Sequence, residues 1–377
     1  MDLRKELIHR LHDGEKMVDL CREYGISRKT GHKLKARFEL LGKAGLDDQS
    51  RAPHLIPHKT PPDLVKMLLA ERDKHPTWGP KKLKASLELR FQRDFPAAST
   101  IGDILVREGV AVRKGRHRPR HKPKPTKLVP VHGPNETWCM DYKGQFRLGD
   151  GSYCYPLTVT DQFSRYLLGC EAMERISDAA SRDVCEEIFR EHGLPSAIRS
   201  DNGAPFASRG LAGLTKLSAY WLRLGIRLER IRPAHPEENG RHERMHRTLK
   251  FDTAKPPRYN LLQQQERFDE FVEEFNCERP HEALRMKTPS KVYKTSKRPY
   301  PTTLPEPSYP GYDDTLRVGA NGFVHIAGVG EVYITQALSG MHIGVDEQPD
   351  GRWLLTFMRL DLGHFDPRLG RVQPTHA

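Results

Sequence analysis

The segment from Arg232 to Lys250, RPAHPEENGRHERMHRTLK, contains an acid in unusual surroundings. Its other polar positions near Glu243 are mostly basic or histidine. The Asn239-Gly240 start signal predicts a helix that places Arg247 and Lys250 on the face of Glu243, at i+4 and i+7. One interpretation is a solvated helix whose i,i+4 ion pair contributes roughly a few tenths of a kcal/mol. The other interpretation is that Glu243 is a functional carboxylate surrounded by basic side chains.

Two more carboxylates lie at the ends of predicted strands. Asp141 occurs in TWCMDYKG, where alternation places Trp138 and Met140 on the opposite face of the strand. Asp201 follows the strand SAIRS, at the carboxyl end where α/β sheets build sites. Carboxylates on separate segments can meet to hold hard divalent cations, and such cations support phosphodiester chemistry. Asp161, in DQFSRY, fits a structural residue at a strand-to-turn junction.

Three motifs carry these acids in order: WxxDYKG, SDNGxPF and HPxxNGxxERxHRTLK. Together they resemble the catalytic core of insertion-sequence transposases and retroviral-type integrases, the DDE recombinases with a ribonuclease H-like fold. The resemblance implies that Asp141, Asp201 and Glu243 are the catalytic and metal-binding residues. Because the third acid follows NGxx, Glu237 and Glu238 are not expected to fill that role. The gap of 42 positions between Asp201 and Glu243 is longer than is usual in this family, and we expect a surface insertion at 208–218.

The same resemblance implies the reaction. Hydrolysis at the ends of an element, marked by terminal inverted repeats, releases a 3′-OH that attacks a target strand. Two Mg²⁺ ions are expected, with Mn²⁺ as a substitute; Asp141 would bridge both ions, and Arg247 and Lys250 would hold the DNA end. Double-stranded DNA, as element ends and target, is the expected partner, bound by a homo-oligomer. Two alternatives stay open: a DNA-binding regulator with an inactive core, and a metal nuclease that only hydrolyses.

Charge is distributed unevenly along the 377 residues. The chain carries +13 overall, but residues 1–130 hold 30 Lys and Arg against 16 Asp and Glu, which is +14, and the remainder is close to neutral. A basic amino-terminal part predicts a nucleic-acid surface. The six cysteines form no CxxC pair, so the sequence indicates neither a zinc site nor a disulfide framework. No apolar run reaches the length of a membrane span, and we expect a cytoplasmic, nucleoid-associated protein without membrane contact.

Residues 1–50 read as a helix-turn-helix DNA-binding domain. Gly25 turns the chain after the second helix, and Ser27 can cap the third. An ordinary three-helix bundle with a solvated basic face is the alternative. The residues expected to contact phosphates and base edges at the start of the third helix are Arg28, Lys29, Thr30, His32 and Lys33.

A second, winged helix-turn-helix domain is predicted at 61–112, and a basic linker at 113–133. Between Arg113 and Lys127 the chain has eight Lys or Arg, three prolines and no acid, so it cannot bury a core. A solvated spacer is one interpretation, and a segment along the DNA backbone is the favoured one. Its expected DNA contacts include Arg113, Lys114, Arg116, Arg118 and Arg120.

The rest of the chain predicts two further domains. Residues 134–292 read as an α/β catalytic core with a mixed sheet, and residues 312–365, with NG and DG turns between alternating runs, as a small β-barrel that contacts DNA or protein. The predicted fold is therefore multidomain: all-α helix-turn-helix modules, an α/β ribonuclease H-like core and a small all-β carboxy-terminal barrel.

Overall fold

A computed structural model describes residues 3–48, 59–112, 128–232 and 235–374 of the chain. The chain divides into two compact units, Met1–Pro61 and Pro62–Ala377. Each unit is described separately below.

The first unit is the predicted helix-turn-helix. Its helices are α1 (Leu3–His12), α2 (Met17–Glu23) and α3 (Arg28–Leu41). The Ser27 hydroxyl accepts a hydrogen bond from the Thr30 amide and so caps α3. Gly31 lets α2 and α3 cross closely, because a Cβ there would lie 2.6 Å from the Cys21 sulfur. A small core of Leu7, Ile8 and Leu46 holds the unit together.

The second unit begins with three more helices: α4 (Pro62–Lys74), α5 (Pro80–Phe91) and α6 (Ala98–Arg107). Pro80 starts α5 directly after Gly79, where its missing amide hydrogen costs no helical hydrogen bond. Trp78, Leu83 and Ile101 are fully buried in their common core. The described residues 110–112 form no strand, and the rest of the predicted wing lies outside the described residues.

This helical module packs directly on the α/β core. The buried ring of His75 stacks on Trp78 at a centroid distance of 3.7 Å, and its Nδ1 lies 2.9 Å from Glu274 Oε1. Lys74 Nζ pairs with Glu278 Oε2 at 2.8 Å, and Lys81 pairs with Glu282. The module is therefore part of one packed unit with the core.

The core contains a six-stranded mixed sheet. The order along the sheet is β2-β3-β1-β5-β6, with β4 paired to β3; β3 is antiparallel to both β1 and β4, whereas β1, β5 and β6 are parallel. This confirms the predicted mixed sheet. The elements in chain order are β1 (Thr137–Tyr142), β2 (Phe146–Arg147), β3 (Tyr153–Asp161), β4 (Leu167–Met173), α7 (Asp178–His192), β5 (Ala197–Ser200), α8 (Lys216–Arg223), β6 (Arg227–Arg230), α9 (Gly240–Thr253) and α10 (Leu261–Glu273).

Helices cover both faces of this sheet. On one face, Trp138 and Met140 of β1 pack against Phe189 of α7 and Trp221 of α8. On the other face, Cys170 of β4 packs with apolar residues of α9 and α10, including Leu249 and Phe268. Since side chains alternate along a strand, Asp141 points to the side covered by α9.

The carboxy-terminal part is all β, as predicted. One antiparallel sheet has the order β13-β12-β11-β10-β7, and β8 pairs with β9 in a second sheet. Their apolar residues, such as Val345, Phe357 and Phe365, form one core. The strands are β7 (Asp314–Arg317), β8 (Phe323–Ile326), β9 (Gly330–Tyr333), β10 (His342–Glu347), β11 (Trp353–Phe357), β12 (Leu360–Asp366) and β13 (Arg371–Gln373).

The segment 208–218, expected to be a surface insertion, is only partly at the surface, because residues 208–210 are exposed whereas Leu214 and Leu217 are buried. Leu214 is 1% exposed and belongs to the same apolar cluster as Val318 and Leu338 of the carboxy-terminal part. The segment then enters α8, where Leu217 is buried against the sheet. Leu214 therefore forms part of an apolar contact with the β domain, because it would otherwise be exposed to water. None of the helices in the described ranges is long and apolar enough to cross a membrane.

Candidate active site

Asp141 lies near the end of β1, opposite Thr158 of β3. The Thr158 hydroxyl donates a hydrogen bond to the Asp141 main-chain carbonyl over 3.1 Å. The Asp141 side chain is 20% exposed, so it faces a partly open site.

Asp201 immediately follows β5, the parallel neighbour of β1. The register pairs Cys139 with Arg199, so continuing both strands by two residues brings position 201 beside position 141. The Gly203 amide donates to Asp201 Oδ1 at 3.1 Å and holds this carboxylate in a tight turn.

Glu243 lies in the first turn of α9. The inward residues of this helix include Met245 and Leu249, which are buried against β4 and α10, whereas Glu243 is exposed. The pKa of Asp141 is raised to about 7, mainly by burial and then by the negative charges of Asp201 and Glu243. The structure thus brings the three acids within electrostatic reach of one another.

Two histidines of α9 complete the surroundings of Asp141. Thr158 Oγ1 is hydrogen bonded to His242 Nε2 at 2.8 Å and to His246 Nε2 at 2.7 Å, and Thr160 Oγ1 lies 2.8 Å from His242 Nδ1. Burial lowers the pKa of His242 to about 3 and that of His246 to about 2, so both rings are neutral near pH 7. Sequence reasoning missed His242, although its i,i+4 spacing from His246 was the signal that both rings face one way.

The donor set near Asp141 fits a divalent cation. Asp141, His242 and His246 each offer one ligand atom, and these atoms lie within 4.8 Å of one another. Clustered carboxylates that raise one another's proton affinity also have a high affinity for a cation, which neutralises the same repulsion.

The nearby acids Glu238 and Asp161 have structural roles. Glu238 is buried and accepts hydrogen bonds from the main-chain amide and the Nε of Arg232, at 2.8 and 2.7 Å. Asp161 accepts from the amides of Asn135 and Ser164, at 2.8 and 2.7 Å, and from the Ser164 hydroxyl. Both carboxylates are therefore already satisfied by protein donors.

A basic cavity adjoins the histidine side of α9. It has a volume of about 540 Å³, and its wall includes Thr160 and His242. The acids among its lining residues are engaged elsewhere: Asp161 as described above, and Glu282 with Lys81. Six basic side chains line it: Lys82, Arg165, Arg241, Arg244, Arg247 and Arg279.

The crowding of these cations has an electrostatic cost. The pKa of Lys82 is lowered to about 8, mainly by burial and then by the positive charge of Arg279. The pKa of Arg165 is likewise lowered, to about 10, by burial and then by Arg241. An anion that enters the cavity would relieve this repulsion. A larger cavity, of about 840 Å³, lies between α7 and the carboxy-terminal β part, and none of Asp141, Asp201 and Glu243 is among its lining residues.

The residues predicted to contact DNA fall into three groups. Those at the start of α3 are all exposed: Arg28, Lys29, Thr30, His32 and Lys33. Arg247 lines the basic cavity, whereas Lys250 is exposed on α9 and is not among the cavity residues. The predicted contacts in the basic linker, Arg113, Lys114, Arg116, Arg118 and Arg120, lie outside the described residues.

Comparison with known families agrees with this arrangement. Two integrase core domain models match residues 131–236 and 224–289, a homeodomain-like domain matches 30–105, and a helix-turn-helix domain matches 3–54. The "Insertion element IS407 uncharacterized 31.7 kDa protein" of Burkholderia multivorans is 26% identical over 189 residues, which is 50% of this chain and 66% of that protein. The chain therefore carries an integrase core domain that follows helix-turn-helix domains.

Viral relatives match a shorter part of the chain. The Gag-Pol polyprotein of Baboon endogenous virus (strain M7) is 31% identical over 117 residues, which cover 31% of this chain but 6% of that polyprotein. The chain therefore spans only a small part of the viral polyproteins it matches. Among solved structures, a chain of the simian T-cell lymphotropic virus intasome in complex with PP2A regulatory subunit B56 gamma is 16% identical, with a TM-score of 0.39; 78% of this chain and 97% of that chain are covered. The HTLV-2 integrase catalytic core domain in complex with magnesium is 14% identical, with a TM-score of 0.32, covering 43% of this chain and 98% of that one.

Proposed function

We propose that this chain binds the terminal inverted repeats of an insertion sequence, cleaves at the element ends and joins the released 3′-OH to target DNA. The observation that carries the proposal is the convergence of Asp141, Asp201 and Glu243 from β1, the end of β5 and α9. Burial raises the pKa of Asp141, and the charges of the other two acids reinforce the shift. Such a cluster suits binding of divalent cations next to a phosphodiester.

The three carboxylates would hold two Mg²⁺ ions, for which Mn²⁺ can substitute. When bound, these ions would activate the attacking oxygen and stabilise the leaving 3′ oxygen. The protein's own part is positional. Thr158 holds the Asp141 main chain, the Gly203 amide orients Asp201, and the buried face of α9 fixes the position of Glu243.

The basic cavity would receive DNA phosphates close to the acids. Its wall is shared with His242, which contacts Thr158 beside Asp141. Lys82 belongs to α5 of the second helical module and Arg279 to the core. A DNA backbone bound in the cavity would therefore contact both the module and the core. Arg247 would be among the contacts, as the sequence predicted.

End recognition belongs in this proposal to the exposed start of α3. Arg28, Lys29 and His32 are exposed and follow a capped helix start, as an α-helix that enters a major groove requires. The basic segment 113–127 would add phosphate contacts without base readout. Pairing two element ends implies a homo-oligomer on DNA.

A joining assay tests the proposal. A labelled end fragment, a plasmid and Mg²⁺ are incubated with the full chain, and the products are resolved on a denaturing gel. We expect label to move into plasmid-sized DNA, and Asp141→Asn to abolish both cutting and joining while end binding persists.

The rival functions give different products in the same assay. A nuclease that only hydrolyses would shorten the labelled end but leave the plasmid unlabelled. A regulator with an inactive core would shift the end fragment in a binding gel and release no 3′-OH. Either result with the intact chain would refute the proposed reaction.

A further inference from the structure

The hydrogen-bond donors and acceptors around Thr158 define the protonation of the two buried histidines. A threonine hydroxyl has one hydrogen to donate and two lone pairs to accept. Its hydrogen goes to the Asp141 main-chain carbonyl at 3.1 Å, because a carbonyl oxygen can only accept. The two lone pairs therefore accept from the Nε2 of His242 and of His246, at 2.8 and 2.7 Å. Both rings carry their hydrogen on Nε2 in this arrangement.

The second nitrogen differs between the two rings. His242 Nδ1 accepts a hydrogen bond from the Thr160 hydroxyl at 2.8 Å, so both ring nitrogens of His242 have a hydrogen-bond partner. His246 Nδ1 has a free lone pair directed toward Asp141 Oδ2, which lies 3.7 Å away. His246 is only 5% exposed, and within the described ranges no residue donates a hydrogen bond to this nitrogen.

When the Asp141 carboxyl is ionised, its Oδ2 and His246 Nδ1 are thus two acceptors that face each other. A separation of 3.7 Å is too long for a direct hydrogen bond. Two ligand atoms at about 2.1 to 2.2 Å from one ion are about 3.0 Å apart at adjacent octahedral positions and about 3.5 Å apart at tetrahedral positions, so a shift of less than about 1 Å would let both atoms bind one cation.

We propose that His246 Nδ1 and Asp141 Oδ2 ligate the same divalent cation, so that one metal position has an imidazole nitrogen ligand in addition to carboxylate oxygens. This inference rests on the metal site of the proposed function and adds a residue to it. Imidazole suits first-row metals such as Fe²⁺ and Zn²⁺, Mn²⁺ binds it least strongly among them, and Mg²⁺ prefers oxygen. With this additional ligand, the chain should still bind Mn²⁺ more tightly than a site built from the three carboxylates alone.

The test uses Mn²⁺ itself as the probe and needs no catalysis. The full chain is titrated with Mn²⁺, and electron spin echo envelope modulation detects nitrogen bonded directly to the bound ion. We expect a ¹⁴N coupling typical of coordinated imidazole, lost together with the bound ion in Asp141→Asn. His246→Asn, which places an amide where Nδ1 lay, should lose the ¹⁴N coupling and bind Mn²⁺ about tenfold or more weakly.

His242→Asn is the matched control, because both nitrogens of His242 are occupied by threonine hydroxyls. It should keep the ¹⁴N coupling. The proposal is overturned if wild-type chain shows no Asp141-dependent Mn²⁺ binding, if the bound ion shows no ¹⁴N coupling, or if the coupling survives in His246→Asn. If His246 instead carries its hydrogen on Nδ1 and donates it to Asp141, the bound ion will show no ¹⁴N coupling. Failure of DNA joining with the coupling intact would refute the proposed function alone.

Discussion

Replacing Asp141 by asparagine should stabilise the metal-free protein, by an amount that increases with pH. The folded chain holds the Asp141 carboxyl at a pKa of about 7, raised from 3.8 mainly by burial and then by Asp201. Asparagine has nearly the same shape but no charge in either the folded or the unfolded chain. The difference between the two proteins therefore isolates the ionisation of one carboxyl group.

The sign follows from proton linkage. Below pH 3.8 the carboxyl is protonated in both states, so its ionisation has no effect on the free energy of unfolding. Between pH 3.8 and about 7 the unfolded chain ionises while the folded chain stays protonated, which favours unfolding of the wild type. At about 1.4 kcal/mol per pKa unit, the full effect above pH 7 is about 4 kcal/mol, and about 3 kcal/mol of it develops between pH 5 and pH 8. Because the side chain is 20% exposed, solvent screening makes these values upper bounds.

Urea titrations at pH 5 and pH 8, with chelator present, measure the difference in free energy of unfolding between wild type and Asp141→Asn. The unfolding transition to follow is the one that includes the core. Asp314→Asn removes a charge from an exposed position on β7 and serves as the control, with little effect expected at either pH. Addition of Mg²⁺ at pH 8 should stabilise wild type and leave Asp141→Asn unchanged, since the cation binds the ionised carboxylate. Equal stability of wild type and Asp141→Asn at both pH values would refute the claim that burial raises this pKa.

Four further results are expected. Glu243→Gln should abolish joining while end binding persists, and Glu237→Gln should retain activity; the reverse pattern in a joining assay would place the third acid elsewhere. Serine at four basic positions of 113–127 should flatten the slope of log affinity against log salt by up to about three to four units, whereas an unchanged slope would indicate a spacer. Lys82→Gln should reduce that slope by about one unit if the cavity binds a phosphate, and an identical slope would argue against it. His75→Ala should lower the free energy of unfolding by about 2 kcal/mol or more in urea titrations, because it leaves a buried gap beside Glu274; no loss would contradict the packing.

The sequence by itself determined the elements and the identity of the three acids, because these signals are local. Ser27 after Gly25 marks the start of α3, and the alternation around Asp141 sets the face of β1 to which it points. Their roles in catalysis stay predictions. The charge of the first 130 residues likewise indicated nucleic acid without any knowledge of the fold.

Only the tertiary structure decided which distant residues meet. His242 and His246 are both hydrogen bonded to Thr158, which is 84 and 88 positions away from them in the chain. No periodicity encodes such a pair, since it depends on how α9 packs across β3. For the same reason the burial of Leu214 against the carboxy-terminal part and the contact of His75 with Glu274 could not be predicted. Each depends on apolar or charged surfaces that become adjacent only when separate segments exclude water together.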